Sequence, residues 1–435
     1  MNRWIGLHLD LSEFPPTPER LLSLFRPLSN LGLDTLLLEP GPMFPWSIDE
    51  RFRCENAYPE SLFGPLLASA EREAVRIVPM LDCFSRMSFV LRHRAYRHLR
   101  FSGRSADRVE PTAPGARGFI ETLLDDLLEI LPGVRSLHLG GFRLARAADS
   151  ISSSLSEKEL DEFLFPIVTY LLERDVRPIV SERVIRGVPD GLVLELSRLC
   201  SIQLDIPASY DSPEQEPRGM EHAISYSLSS APSLIGTVTL VRGSAPARAC
   251  GFVTWNGPDR SVTEDRVRLS GVMLVASGGD PGDPGGFPPR ETAWGEITSA
   301  VLALRTGSIP SSDETERALE RAGFDPVHRE VRKRFDDFLS LLNEAWALVR
   351  RARERIAGAT ADPALRSSIE SGGPHETIGL HSAVEAAEHA GADLACMFER
   401  LCEMPQVRRF VADRVFALRE EALLIDSRMI QLGES

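Results

Sequence analysis

The chain has 435 residues, of which 43% are hydrophobic and 26% charged, a composition that excludes a disordered or fibrous protein. That length suits two or three domains, or one large α/β barrel with an appendage. A formal net charge of −14, from 49 basic and 63 acidic residues, argues against a nucleic-acid binder and against a protein drawn to anionic membranes. No run approaches the ~18 apolar residues of a membrane span. The cysteines, Cys54, Cys83, Cys200, Cys250, Cys396 and Cys402, form no CxxC pair, so no zinc ribbon or redox motif is indicated. A strand pattern begins at Trp4 and leaves no room for a secretory signal, so a reducing, cytoplasmic location is expected.

The first three hundred residues alternate short apolar runs with helical patterns. Trp4–Asp10 reads as a strand. Pro18–Leu31 reads as one helix, with proline in its first turn and Leu21, Leu22, Phe25 and Leu28 on one face. Strand Thr35–Glu39, helix Glu60–Arg72, strand Arg76–Leu81, helix Gly115–Leu131 and strand Ser136–Gly140 follow. The next helix, Ser156–Arg174, opens with Ser156 as N-cap and Glu159 as its reciprocal partner. Strand Pro178–Ser181, helix Leu192–Leu199 and strand Ser201–Asp205 come next. Leu234–Val241 is β-rich and reads as an extra strand, while Gly251–Trp255 and Gly271–Val275 complete a count of eight. A helix containing Trp294 and Leu304 closes the series. Repeated strand–helix units imply a parallel sheet with helices outside, and eight of them suit a closed (β/α)8 TIM-type barrel over residues 1–310.

From about Thr315 the pattern is helical only. Phe335, Phe338, Leu339, Leu342, Trp346 and Val349 recur at helical spacing, as do Leu394, Met397, Phe398 and Leu401, then Val411, Val415, Leu418 and Leu423. Ser371-Gly-Gly-Pro374 is read as punctuation between two helices. The expectation is an all-α helical bundle over residues 311–435, packed on the barrel or on a second subunit. His375 and His381, with Glu376 and Glu385 nearby, do not share one helical face, so no metal site is expected there, and no cofactor is expected anywhere.

Several strand ends resemble the glycoside hydrolase family 20 barrel, in particular its hexosaminidase D type. The residues that carry the resemblance are His8-Leu9-Asp10-Leu11, Leu37-Leu38-Glu39 leading into Met43-Phe44-Pro45-Trp46, and Val78-Pro79-Met80-Leu81 with Met87–His93 and His98-Leu99-Arg100. Leu131–Gly140 resembles the helix and strand that deliver that family's catalytic residues. The resemblance implies substrate-assisted glycoside hydrolysis, in which the substrate's acetamido oxygen attacks, an Asp orients it, and a neighbouring Glu protonates the leaving oxygen. The family pattern there is His-x-Gly-x-Asp-Glu. This chain reads His138-Leu139-Gly140-Gly141-Phe142-Arg143, so Phe142 stands in place of the Asp and Arg143 in place of the Glu. An arginine, with a pKa above ~12, cannot deliver a proton near neutral pH. Other departures are Ser85-Arg86-Met87-Ser88 for Gly-His-Met-Glu, Gly41-Pro42 for two acidic positions, and Ser181-Glu182-Arg183-Val184 for Trp-Asp-Asp-Met. Leu204-Asp205-Ile206-Pro207 lacks the expected sugar-stacking aromatic.

If the barrel reading holds, Arg86, Arg143 and Arg183 follow strands three, four and five, on the face where barrel enzymes place their sites. Two guanidiniums about 8 Å apart repel by roughly 2 kcal/mol at an effective dielectric of 20. They therefore require anionic company, either from Glu39, Asp82, Glu182 and Asp205 or from an acidic group on a ligand. The leading expectation is a catalytically degenerate barrel that binds a sugar-like ligand through Asp10, Glu39, Arg86, Phe142, Arg143, Glu182, Arg183, Asp205, Trp255 and Trp294, without N-acetylhexosaminidase turnover. One alternative is a rebuilt glycosidase or other carbohydrate-modifying enzyme using Glu39, Asp82, Glu182 or His138. The other is an interaction protein whose C-terminal helices form a homodimer.

Overall fold

The structure, a computed structural model, describes residues 4–12, 15–101, 107–141, 156–185, 188–206, 234–240, 269–276, 293–306, 308, 310–324, 327–361, 363–398, 401 and 404–434. Two compact units emerge from the contact pattern. The first contains the strands and reaches Phe324; the second contains the long helices from residue 327 onward.

Eight parallel strands form one sheet: β1 (Trp4–Asp10), β2 (Thr35–Glu39), β3 (Arg76–Pro79), β4 (Ser136–His138), β5 (Arg177–Ser181), β6 (Ser201–Ile206), β7 (Leu234–Leu240) and β8 (Leu269–Ala276). Their order is β3-β2-β1-β8-β7-β6-β5-β4. The two end strands meet through a parallel bridge between Met80 and His138. Leu81 N–H donates to His138 O at 3.0 Å and Cys83 N–H to Leu139 O at 3.1 Å, which closes the ring. Leu37, Val78, Met80, Ile179 and Met273 form one buried cluster, in which β5 meets β2 and β8, strands it does not pair with, across the lumen. Successive strand residues alternate faces. Glu39 therefore follows Leu37 on the inner face, and Asp82 follows Val78 and Met80, so the lumen's apolar column ends in carboxylates at the C-terminal rim.

Leu234–Leu240 is the seventh strand, seated between β6 and β8; the expected strand Gly251–Trp255 lies outside the described residues. The expected helix Pro18–Leu31 is two helices, Pro18–Ser23 and Phe25–Leu31. Pro27 has no N–H for the Ser23 carbonyl, and its ring crowds that oxygen, so the helix breaks there. The Ser156 cap forms as expected: Ser156 N–H donates to Glu159 Oε2 at 2.7 Å and Glu159 N–H to Ser156 Oγ at 3.3 Å. A π turn at Leu160–Leu164 then precedes Phe165–Leu172, where Pro166 again removes a helical donor.

The helix Ser312–Ala322 belongs to the barrel unit, beyond the expected boundary at residue 310. Asn30 Nδ2 donates to Ala322 O at 3.1 Å, and Phe324 packs on Trp294 with ring centroids 4.4 Å apart. The second unit has three long helices, Val327–Ala361, Pro363–Phe398 and Met404–Glu434. Ser371–Pro374 does not punctuate: a single 36-residue helix runs through it, because one lost hydrogen bond is small beside the packing of its remaining turns. Phe335, Phe338, Leu342, Val349, Leu394, Phe398 and Leu418 are buried, as their spacing predicts. Leu423, read as part of the same stripe, is 55% exposed, and Ile425 takes the buried position. No described helix is long and apolar enough to cross a membrane.

Candidate functional site at the barrel mouth

Two segments hold the mouth. After β2 the chain runs through Met43-Phe44-Pro45-Trp46; after β3 it runs through Met87–Leu91. Trp46 stacks on Phe89 with centroids 5.8 Å apart, and Phe44 packs on Trp46 at 4.7 Å and on Phe63 at 5.2 Å. Such aromatic pairs each add ~0.5–1.5 kcal/mol beyond their burial. Trp46 Nε1 donates to Gly41 O at 2.9 Å, and Asp126 accepts from Ser47 N–H at 2.7 Å and Ser47 Oγ at 2.6 Å. The loops carrying Glu39 and Arg86 are thus clamped together.

Arg86 is the hub. Its Nη1 donates to Glu39 Oε2 at 3.1 Å; its Nη2 donates to Ser12 Oγ at 2.9 Å and forms an ion pair with Asp10. His8 Nε2 donates to the same Glu39 Oε2 at 2.9 Å. Arg86 sits at φ +60°, a left-handed conformation that side chains seldom adopt, and the bridge between the ends of β1 and β2 holds it there. Burial alone would raise the Asp10 carboxyl, but Arg86, His8 and Ser12 outweigh it and hold the group at about 2.

Asp82 is held differently. Its Oδ1 accepts from Phe84 N–H at 3.1 Å and Ser85 N–H at 2.9 Å, and its Oδ2 accepts from Ser85 Oγ at 2.9 Å. Burial and the negative charge of Glu39 nevertheless push its carboxyl up to about 6. Gly140 (φ +79°) lies against it, and a Cβ there would collide with the Asp82 backbone. The glycine read from the sequence motif is therefore required by contact as well as by conformation. Glu39, Asp82, Ser85, Arg86, Phe89 and Arg92 are among the residues lining a cavity of about 270 Å³. That volume is near the lower end of ligand sites, ~300–1,000 Å³, and suits a small ligand.

The other expected residues are placed as follows. His138 is fully buried, its Nε2 donating to Gln203 Oε1 at 2.7 Å while its Nδ1 accepts from Gly140 N–H at 2.9 Å. Burial lowers its pKa to about 3, so it is a neutral core histidine with both ring nitrogens engaged, not an acid or base. Glu182 is buried at the start of a short helix after β5, and Arg183 follows it, its N–H donating to Ser181 Oγ at 3.3 Å. Asp205 lies on β6 in register with Thr237. Trp294, expected at the pocket wall, is fully buried against Phe324; it fills core and cannot stack on a ligand. Phe142, Arg143 and Trp255 lie outside the described residues. The structure thus joins Asp10, Glu39 and Arg86 with Asp82. It adds His8, Ser12, Ser85 and Arg92, which were not among the expected site residues, although His8, Ser85 and Arg92 lie in the segments compared with the family and His8 shares a strand face with Asp10. No group of His, Cys, Asp and Glu among the described residues has metal-binding geometry.

No family model matches the chain. The chain is 33% identical over 135 residues to hexosaminidase D of Homo sapiens, covering 31% of this chain and 28% of that protein. It is 31% identical over 135 residues to hexosaminidase D of Bos taurus, covering 31% of this chain and 39% of that protein. The match spans less than two fifths of either relative. Among solved structures, the beta-N-acetylhexosaminidase from Bacteroides fragilis NCTC 9343 aligns with a TM-score of 0.49 and 15% identity over 74% of this chain and 72% of that one. The Flavobacterium johnsoniae chitobiase aligns with a TM-score of 0.48 and 12% identity over 98% of this chain and 72% of that one. Over those 135 residues the chain is similar to hexosaminidase D, and the described strands close a parallel barrel.

Proposed function

We propose that this barrel binds a sugar-like ligand at its mouth and does not hydrolyse N-acetylhexosaminides. The observation that carries the reading is Gly140-Gly141-Phe142-Arg143, where the family pattern has Gly-x-Asp-Glu. A permanently protonated guanidinium cannot act as general acid, a role worth about 10² to 10⁴ in rate, and Phe142 replaces the carboxyl that orients the acetamide in the family pattern. The polar cavity lined by Glu39, Asp82 and Arg86 supports ligand binding. Arg86 itself is neutralised by Asp10 and Glu39, so it gives no reason to demand an anionic ligand. The test combines an aryl N-acetyl-β-glucosaminide assay with calorimetric titration of monosaccharides. No turnover together with saturable sugar binding is expected. Turnover at the rate of an authentic hexosaminidase, or no sugar binding at all, overturns the reading.

A second reading, a rebuilt glycosidase, is favoured by Asp82, a buried carboxyl poised at about 6 on the cavity wall. It requires a glycosidase activity with a pH limb near 6 that Asp82→Asn lowers by about 10² to 10⁴. Against it stand the Arg86 pairings of Asp10 and Glu39 and the saturated ring of His138. A homodimer through the C-terminal helices remains a third reading. Phe416, Leu423 and Ile430, each more than half exposed, recur every seven residues along the last helix. Light scattering of the wild type and of Phe416→Glu tests it, and a monomeric wild type ends it.

A further inference from the structure

We infer that the mouth cavity takes a sugar bearing a free ammonium group, seated against Glu39 and Asp82; this rests on the sugar-binding reading above and names the ligand class. Both residues are 4% exposed, and both line the same cavity. Their hydrogen-bonding capacity is unequally filled. Among the described residues the donors to Glu39, His8 Nε2 and Arg86 Nη1, both sit on Oε2, and none sits on Oε1. Asp82 accepts from two backbone N–H groups and one hydroxyl, all neutral donors, and pairs with no described cation. Among the described residues, Asp10, Glu39 and Asp82 together face one guanidinium, Arg86, which pairs with the first two. At the rim Arg92, exposed, donates to neutral acceptors, Arg51 O at 3.3 Å and His93 Nε2 at 3.2 Å.

Buried carboxylates with spare lone pairs call for donors and positive charge. An ammonium offers three donors and a unit charge, a hydroxyl one donor, and an acetamide one donor beside a carbonyl that a carboxylate repels. A carboxylate or sulfate on the ligand would add another like charge to the pair. The upward displacement of the Asp82 carboxyl by Glu39 agrees with an anionic excess at this wall.

The experiment is calorimetric titration of the full chain at pH 7 with D-glucosamine, D-glucose and N-acetyl-D-glucosamine, repeated in high salt. Glucosamine is expected to bind at least about tenfold more tightly than either neutral sugar, as a charge-assisted pair commands. That preference should shrink with salt. The ratio of glucosamine to glucose affinity should fall to about threefold or less in Glu39→Gln and in the near-isosteric Asp82→Asn. Equal affinity for glucosamine and glucose, or a preference that survives both substitutions, overturns the inference. So does magnesium chloride binding at the cavity with no glucosamine preference, which would assign the carboxylates to a metal. If neutral sugars bind and the amine gains nothing, this inference alone falls. If no sugar binds, the sugar-binding reading falls with it.

Discussion

Replacing Arg86 by alanine should destabilise the barrel unit by about 2–4 kcal/mol at pH 7. The Asp10 carboxyl is held at about 2 against an ordinary 3.8, a shift worth about 2 kcal/mol, shared among Arg86, His8 and Ser12. Truncation also strips Glu39, 4% exposed, of its one guanidinium partner among the described residues. Breaking a fully buried pair costs ~3–5 kcal/mol. The side chains of Arg86 and Asp10 are 15% and 21% exposed, which places the loss toward the lower part of that range. The pH dependence fixes the mechanism. Because the folded Asp10 pKa lies below the unfolded value, its contribution is complete above about pH 4 and disappears as pH falls toward 2. In Arg86→Ala burial raises the Asp10 carboxyl without its opposing guanidinium, so the variant recovers stability by binding a proton there as pH falls. Both effects narrow the gap between wild type and variant on acidification. Urea unfolding followed by tryptophan fluorescence at pH 7, 5 and 4 reads the gap directly. A loss under about 0.5 kcal/mol, or one independent of pH, would refute the hub assignment. Arg86→Lys, which keeps a charge but cannot fork between two strand ends, should lie between the two.

Asp82→Asn should be more stable than wild type by about 2 kcal/mol at pH 8 and lose that advantage below about pH 4. A carboxyl raised to about 6 when folded penalises the folded state above its unfolded value and is relieved by protonation; urea midpoints across pH check the sign. Gly140→Ala should cost more than about 2 kcal/mol, since φ is +79° and the added methyl meets the Asp82 backbone; a neutral result in thermal unfolding would contradict that contact. Ala74, exposed at φ +55° just past the helix Phe63–Arg72, should gain about 0.5–1 kcal/mol on replacement by glycine, and a lower melting temperature would count against the assigned strain.

Much of the barrel was legible because its strands are short β-branched or leucine runs with charged or glycine ends. Trp4–Asp10 and Thr35–Glu39 match residue for residue, and the Ser156–Glu159 box is where its spacing puts it. The misplacements have local causes. Pro27 splits a helix that periodicity alone joins, and Leu234–Leu240 alternates threonine with aliphatic residues, so it pairs in the sheet while reading as an appendage. At the mouth, strand alternation places Glu39 and Asp82 on the inner face, but it cannot show that one arginine forty-seven positions from Glu39 spans two strand ends. That depends on the turn after Asp82 and on the left-handed residue it presents. Trp294 illustrates the reverse error: an aromatic near a strand end looks like a sugar platform until its partner Phe324, thirty positions on, is seen.

The ring closes at the pair of strands that shares the fewest bonds, and the wall carboxylate stands between the two donors that make the closure, Leu81 and Cys83. One stretch of backbone is therefore both zipper and cavity wall. A guest that presses on Asp82 tugs directly on the barrel's weakest seam, so occupancy should be felt in amide exchange at Leu81 and Cys83 before it is felt at any other joint of the ring.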